Sequence, residues 1–321
     1  MMGSGPYAAP TLRSLLVSRH EVAALITQPL RESHARRPLP LSPMRIVALE
    51  HGLPILDPEN VNTPEANAAL SQFGADLLVV CDYGQILKPE TLQIARLGGI
   101  NLHASLLPKY RGAAPINWAI YHGDKVTGNT VLHITPSVDA GPCIAQQQIE
   151  IGPDENAVEL ETRLASLGAD LVLAAIDDLE AGRARTLPQD PSLMTRARRL
   201  RKTDGAIDWT RTAVQIRNQV RAFAAWPKTY TNLLREGHEP LRLIIDAAHI
   251  GMALGVGAED MKSVPGDIEY GGSGKLIVNT GGGSLFIDRL QPSGKRVMDT
   301  AEFLRGYPIR PGDRFGQLTS E

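Results

Sequence analysis

Residues 98–118 read GGINLHASLLPKYRGAAPINW. A short apolar strand brings Asn101 and His103 to its end, and on an extended strand residues two apart share a face. A loop stopped by Pro108 follows, then the basic Lys109-Tyr110-Arg111 and a Gly-Ala-Ala-Pro entry into a further segment. Upstream, residues 77–81 read LLVVC, a continuous apolar run of the kind buried on both faces of a parallel sheet.

Working outward, short apolar runs alternate with helical patterns. Strands are expected over 22–27, 53–56, 130–134 and 144–151. Helices are expected over 43–51, 64–73, 89–95 and 116–122. A long amphipathic helix is expected over 157–179, with Leu160, Leu164, Leu167, Leu171, Ala175 and Leu179 inward. The pattern predicts an α/β fold with an open, Rossmann-like, mostly parallel sheet over residues 1–183. Ligands bind such sheets outside the carboxyl ends of the strands. The polar loops 82–85, 101–110 and 136–141 are expected there. GSGPYA at residues 3–8 satisfies a dinucleotide fingerprint in letters only. It has no strand before it and is read as a tight turn before a helix.

Residues 184–207 change character, with two prolines and the basic run Arg196, Arg198, Arg199, Arg201 and Lys202, and are read as a linker. Residues 208–321 carry a helix at 213–224 and short strands at 229–234, 241–247, 266–269, 275–279 and 284–290 between Gly-rich turns, then a helix near 300–305. That is the pattern of a small β-barrel.

The net charge of -2 means that a nucleic-acid partner must be met by local basic patches. Residues 29–45 form one, with Arg31, Arg36, Arg37 and Arg45 against the single Glu32. Cys81 and Cys143 have no zinc-ligand spacing and suit a reducing cytoplasm. No metal, signal peptide or membrane span is expected.

Asn101, His103 and Asp139 handle protons but have no enzyme nucleophile beside them, since Ser105 is not in a nucleophile elbow. Direct transfer between two bound substrates follows. An imidazole takes a proton from an attacking amine, and a side-chain amide stabilises an oxyanion without titrating. Tyr83 and Gly84 are candidates to flank a planar ligand.

Residues 101–118 resemble the signature of the formyltetrahydrofolate-dependent formyltransferases. So do Thr27-Gln28-Pro29, residues 83–87 (YGQIL), residues 204–209 (DGAIDW), Trp226-Pro227 and Phe303-Leu304-Arg305-Gly306. The resemblance covers nearly the whole chain, in order. It implies formyl transfer from 10-formyltetrahydrofolate to the methionine α-amine of initiator tRNA. The implied catalytic residues are Asn101, His103 and Asp139. The implied folate contacts are Ser105, Leu106, Leu107 and Pro108, with Tyr83, Gly84 and Ile86 nearby. The implied tRNA contacts are Arg31, Arg36, Arg37, Arg45, Arg198, Arg199, Arg201 and Lys202, and the barrel is expected to be OB-like. A monomer is expected. Related members act on amino-sugar nucleotides or hydrolyse the donor. One departure concerns the fold: the apolar strand that opens the family sheet is absent before Met2-Gly3. Two unpaired edges are expected in its place, with the true start upstream.

Overall fold

The computed structural model describes residues 1–30, 40–251, 264–271 and 274–317. Two compact units divide it. One comprises residues 1–116, 126–151 and 159–198; the other comprises residues 117–125, 152–158 and 199–321.

The elements of the first part of the chain are α1 (Ala9–Leu16), β1 (Leu25–Ile26), α2 (Pro43–Glu50), β2 (Ile55–Leu56), α3 (Pro64–Ser71), β3 (Leu78–Val80), α4 (Pro89–Leu92) and β4 (Gly99–His103). They continue with β5 (Arg111–Gly112), α5 (Pro115–His122), β6 (Val126–His133), β7 (Cys143–Glu150), α6 (Ala157–Glu180) and β8 (Arg196–Ala197). Ser42 and Thr63 start α2 and α3 by accepting the backbone N–H groups of Arg45 and Ala66. A proline at the first helical position of each helps to set the start.

The expected opening in the sheet is filled at its carboxyl end. Met2 bridges Ile26 on one side and Val80 on the other, both in parallel. Its N–H donates to Val79 O at 2.7 Å, and its carbonyl accepts from Cys81 N at 2.9 Å. The sheet therefore runs β2, β1, Met2, β3, β4, β6, β7. Up to β4 every pairing is parallel, whereas β6 and β7 are antiparallel. This direction matters. His103 of β4 faces Thr130 of β6, and Ile100 faces His133. The loop carrying Asp139 thus leaves β6 at the amino end of β4, not at its carboxyl end as a parallel strand would require, and reaches Asn101 by folding back.

α6 packs on the face opposite Asn101 and His103. Its contact is Gly168, where a Cβ would stand 2.7 Å from Leu102 Cδ2 and 3.0 Å from Asn129 Nδ2. Only glycine lets the helix backbone approach β4 this closely. Leu160, Leu164, Val172 and Ala175 are buried, while Leu167, Leu171 and Leu179 sit half-buried at the margin of the expected stripe.

Residues 184–198 are not a free linker. Leu187 pairs with Cys143, and β8 pairs with β5 in parallel.

The second unit holds α7 (Ala213–Ala222), β9 (Thr229–Leu234), β10 (Leu241–Ile250), β11 (Ile268–Gly271), β12 (Lys275–Asn279), β13 (Ser284–Pro292), β14 (Met298–Asp299), α8 (Thr300–Gly306) and β15 (Arg314–Gly316). Antiparallel strands run in the order β11, β12, β13, β10, β9, β15. The bridge of Asp267 to Arg314, with Phe315 N donating to Gly266 O at 2.7 Å, joins the two ends into a barrel. Leu243, Val278, Leu285, Leu290, Phe303 and Phe315 fill it. The buried Trp209 donates its indole N–H to Thr231 Oγ1 at 3.0 Å.

Candidate active site

The pleat of β4 turns Leu102 towards α6 and Asn101 and His103 to the other face. His103 is 6% exposed. Its Nε2 lies 2.9 Å from Tyr110 O, a carbonyl that can only accept, so Nε2 carries the hydrogen. Nδ1 is then the free lone pair of the neutral ring, and it faces Asp139 Oδ2 at 3.6 Å. Nδ1 is the ring atom able to accept a proton, and a proton gained there would find a carboxylate beside it.

Asp139 is itself held on both oxygens. Oδ1 accepts from Asn101 Nδ2 at 3.3 Å, and Oδ2 accepts from Gly112 N at 2.9 Å. A Cβ at Gly112 would stand 2.5 Å from Ala197 O, so a side chain there would push this N–H off the carboxylate. The Asp139 backbone is left-handed, with φ 51°. One amide hydrogen of Asn101 is used on Asp139, which leaves the other for an oxygen that gains negative charge. The three residues chosen from sequence converge, though they come from antiparallel neighbours.

The neighbouring loop after β4 is pinned by residues that sequence reasoning did not single out. Thr130 Oγ1 donates to Ser105 O at 2.6 Å and accepts from Leu107 N at 3.1 Å and Gln146 Nε2 at 2.9 Å. Gln146 Nε2 also donates to Leu107 O at 2.8 Å. Ser105 donates its hydroxyl to Lys109 O at 2.6 Å, so it is spent inside the loop. Ser105 and Leu107 are buried, and Leu106 and Pro108 are half-buried.

The loop after β3 differs from expectation. Tyr83 is 2% exposed and packs in the core with Met2, Val80 and Leu87. Its ring is turned away from the surface, and its hydroxyl has no partner among the described residues. Gly84 is exposed, and Ile86, 63% exposed, is the apolar side chain this loop presents.

Arg45 is also placed differently. It is 7% exposed, ion-paired with Asp57, and donates to Gln28 O at 3.0 Å. Gln28 Nε2 in turn donates to Tyr83 O at 2.9 Å. The guanidinium of Arg45 is thus engaged with Asp57 and with the backbone of Gln28, which in turn braces the β3 loop. Arg31, Arg36 and Arg37 lie outside the described residues. Arg198, Arg199, Arg201 and Lys202 are exposed.

Asp82 lies two residues beyond the end of β3, with a left-handed backbone at φ 47°. The protein crowded around its carboxyl raises it to about 6, although solvent reaches part of the side chain. Burial, and then the charge of Asp82, raises Glu161 as well. Among the described residues His20, Asp177 and Glu180 approach closely enough to share an ion, but Arg19 already bonds both carboxylates.

The family described as Formyl transferase matches residues 1–176, and its C-terminal domain matches residues 199–308. The chain is 41% identical over 319 residues to a methionyl-tRNA formyltransferase of Geobacter sulfurreducens, covering 99% of this chain and 96% of that one. It is 40% identical over 325 residues to a protein of the same name from Rhodopirellula baltica, covering 98% and 95%. An N-formyltransferase structure from Helicobacter canadensis, in complex with folinic acid and dTDP-3-aminofucose, is similar in fold. Its TM-score is 0.64 at 17% identity, covering 91% of this chain and 97% of that one. With both domains matched in order and near-complete relatives at this identity, the chain belongs to the formyl transferase family.

Proposed function

We propose that the chain transfers the formyl group of 10-formyltetrahydrofolate to the α-amine of methionine on initiator tRNA, at the start of translation. The relatives of that name support the substrate. The observation that carries the chemistry is the convergence of Asn101, His103 and Asp139 on one face of β4.

The donor supplies an activated formyl carbon on nitrogen. The residues that would hold it here are the loop 105–108, with backbone groups pinned by Thr130, and the exposed apolar Ile86 of the loop after β3. The donor fits these parts: both loops leave carboxyl ends of adjacent parallel strands, where such sheets take ligands. His103 Nδ1 accepts the amine proton as nitrogen bonds to the formyl carbon. Asn101 donates its second amide hydrogen to the formyl oxygen as charge builds there, a contribution of about 10²–10³-fold in comparable oxyanion sites. Asp139 holds the imidazolium until the proton passes to the departing folate nitrogen. Proton handling of this kind contributes about 10²–10⁴-fold.

The tRNA would meet Arg31, Arg36 and Arg37 in the basic loop and Arg198, Arg199, Arg201 and Lys202 further on. No helix of the described residues is long and apolar enough to cross a membrane. A cytoplasmic monomer is the state proposed. The test is a formylation assay with methionyl initiator tRNA, run beside an amino-sugar nucleotide and beside donor alone. Formyl transfer to the tRNA alone is expected. Transfer to the sugar alone, or hydrolysis of the donor without acceptor, would overturn the reading.

A further inference from the structure

The backbone of the loop bearing Asp139 is held from behind by the side chain of Gln189. Its Nε2 donates to Asp139 O at 2.8 Å and to Gly141 O at 2.7 Å. Its Oε1 accepts from Arg111 Nε at 2.9 Å and Arg111 Nη2 at 2.7 Å. The whole carboxamide is therefore committed, and its orientation is fixed, because an Arg guanidinium can only donate and a carbonyl can only accept.

The loop bearing Asp139 needs such a clamp. It departs from the antiparallel β6 and must fold back over β4 to reach Asn101. Its key residue has φ 51°, a left-handed backbone that aspartate tolerates better than most residues but that still gains from being tied in place. The same Arg111 precedes Gly112, whose N–H grips Asp139 Oδ2. The loop is thus tied twice to one short segment: through Gln189 to the Arg111 side chain, and through the Asp139 carboxylate to the Gly112 backbone.

We propose that Gln189 is a positioning residue for formyl transfer, acting through Asp139 to hold the carboxylate against His103 Nδ1 and Asn101. The inference rests on the assignment of Asp139 to the reaction. Gln189 touches no reacting atom. Its effect is on geometry, and a displacement of about 1 Å in a catalytic group can cost about 10²-fold.

Gln189→Glu separates the two ends of the clamp. The carboxylate keeps its partner in Arg111 but cannot donate to Asp139 O or Gly141 O, and it places a negative charge against two carbonyls. The experiment measures kcat, KM for 10-formyltetrahydrofolate and thermal stability for Gln189→Glu, Asp139→Asn and the double variant, in the full chain. The expected result is a fall in kcat of about 10–100-fold for Gln189→Glu, with KM within about twofold. In the Asp139→Asn background the second substitution should add less than about threefold, because both act on one group. Multiplicative losses in the double variant, or equal losses in kcat and in apparent donor affinity, would make Gln189 a general structural residue and overturn the proposal. Wild-type turnover in Asp139→Asn would instead overturn the catalytic assignment on which it rests.

Discussion

Replacing Thr130 by valine tests whether the β4 loop is held as its hydrogen bonds indicate. Thr130 is 0% exposed, and valine has nearly its shape, so the change removes a hydroxyl without opening a cavity. Three bonds are lost: one given to Ser105 O and two received, from Leu107 N and Gln146 Nε2. Gln146 keeps its bond to Leu107 O, so its amide is not orphaned. Ser105 O and Leu107 N lose their hydroxyl partner in a buried place. At about 1–3 kcal/mol for each buried group left unsatisfied, the cost is about 2–6 kcal/mol. At about 2–4 °C per kcal/mol for a unit of this size, that lowers Tm by about 4–24 °C. The same two groups set the path of residues 105–108, so KM for the folate donor should rise by about tenfold or more, while His103 remains in place. Thermal unfolding and donor-dependent kinetics read both effects. Thr130→Ser, which keeps the hydroxyl, should recover most of the loss in KM. A valine variant within about 1 kcal/mol of the parent, with unchanged KM, would mean that the Thr130 hydroxyl does not hold the loop.

Two further outcomes follow from charge. Neutralising Arg36 and Arg37 together should weaken tRNA binding and flatten the plot of log K against log salt by about 2, as expected for two lost phosphate contacts; an unchanged slope would remove the loop from the interface. Asp82 is raised to about 6 in the folded chain, so its protonated form favours folding. The stability it contributes is complete below the ordinary carboxylate range near 3.8 and is lost as pH rises through about 6. Asp82→Asn should therefore raise Tm at pH 8 and leave it unchanged near pH 3. Partial exposure of the side chain keeps the gain modest. Thermal scans across pH read the difference, and equal Tm values at pH 8 would contradict it.

Particular residues show what sequence can carry. Asn101 and His103 were legible because strand alternation places residues two apart on one face, and Asp139 because its loop follows a strand. The direction of that strand was not legible. β6 is buried on both faces like the parallel strands beside it, so its sequence did not reveal its direction, and the fold-back of the Asp139 loop emerged only with the register of β4 and β6. Arg45 looked like part of a basic patch because it follows an arginine-rich segment. Yet Met44, Val47 and Ala48 mark the buried stripe of α2, and Arg45 sits at its margin, a signal that its charge faces inward. Tyr83 follows a strand, and nothing in a loop's composition says whether an aromatic ring turns in or out. Thr130 and Gln189 carry ordinary polar side chains whose partners lie 25 and 50 residues away, so only tertiary structure assigns them work. The barrel strands were visible as short alternating runs. β15 was not, being three residues whose pairing with β9 spans most of the unit.

The chemistry is assigned to the end of β4. Single-turnover formylation of methionyl initiator tRNA by the parent chain, His103→Ala and Asn101→Ala tests that assignment most directly, with donor binding measured alongside. Rates lower by about 10²-fold or more are expected in each variant, with donor affinity within about twofold. A rate within about threefold of the parent for His103→Ala would contradict the assignment.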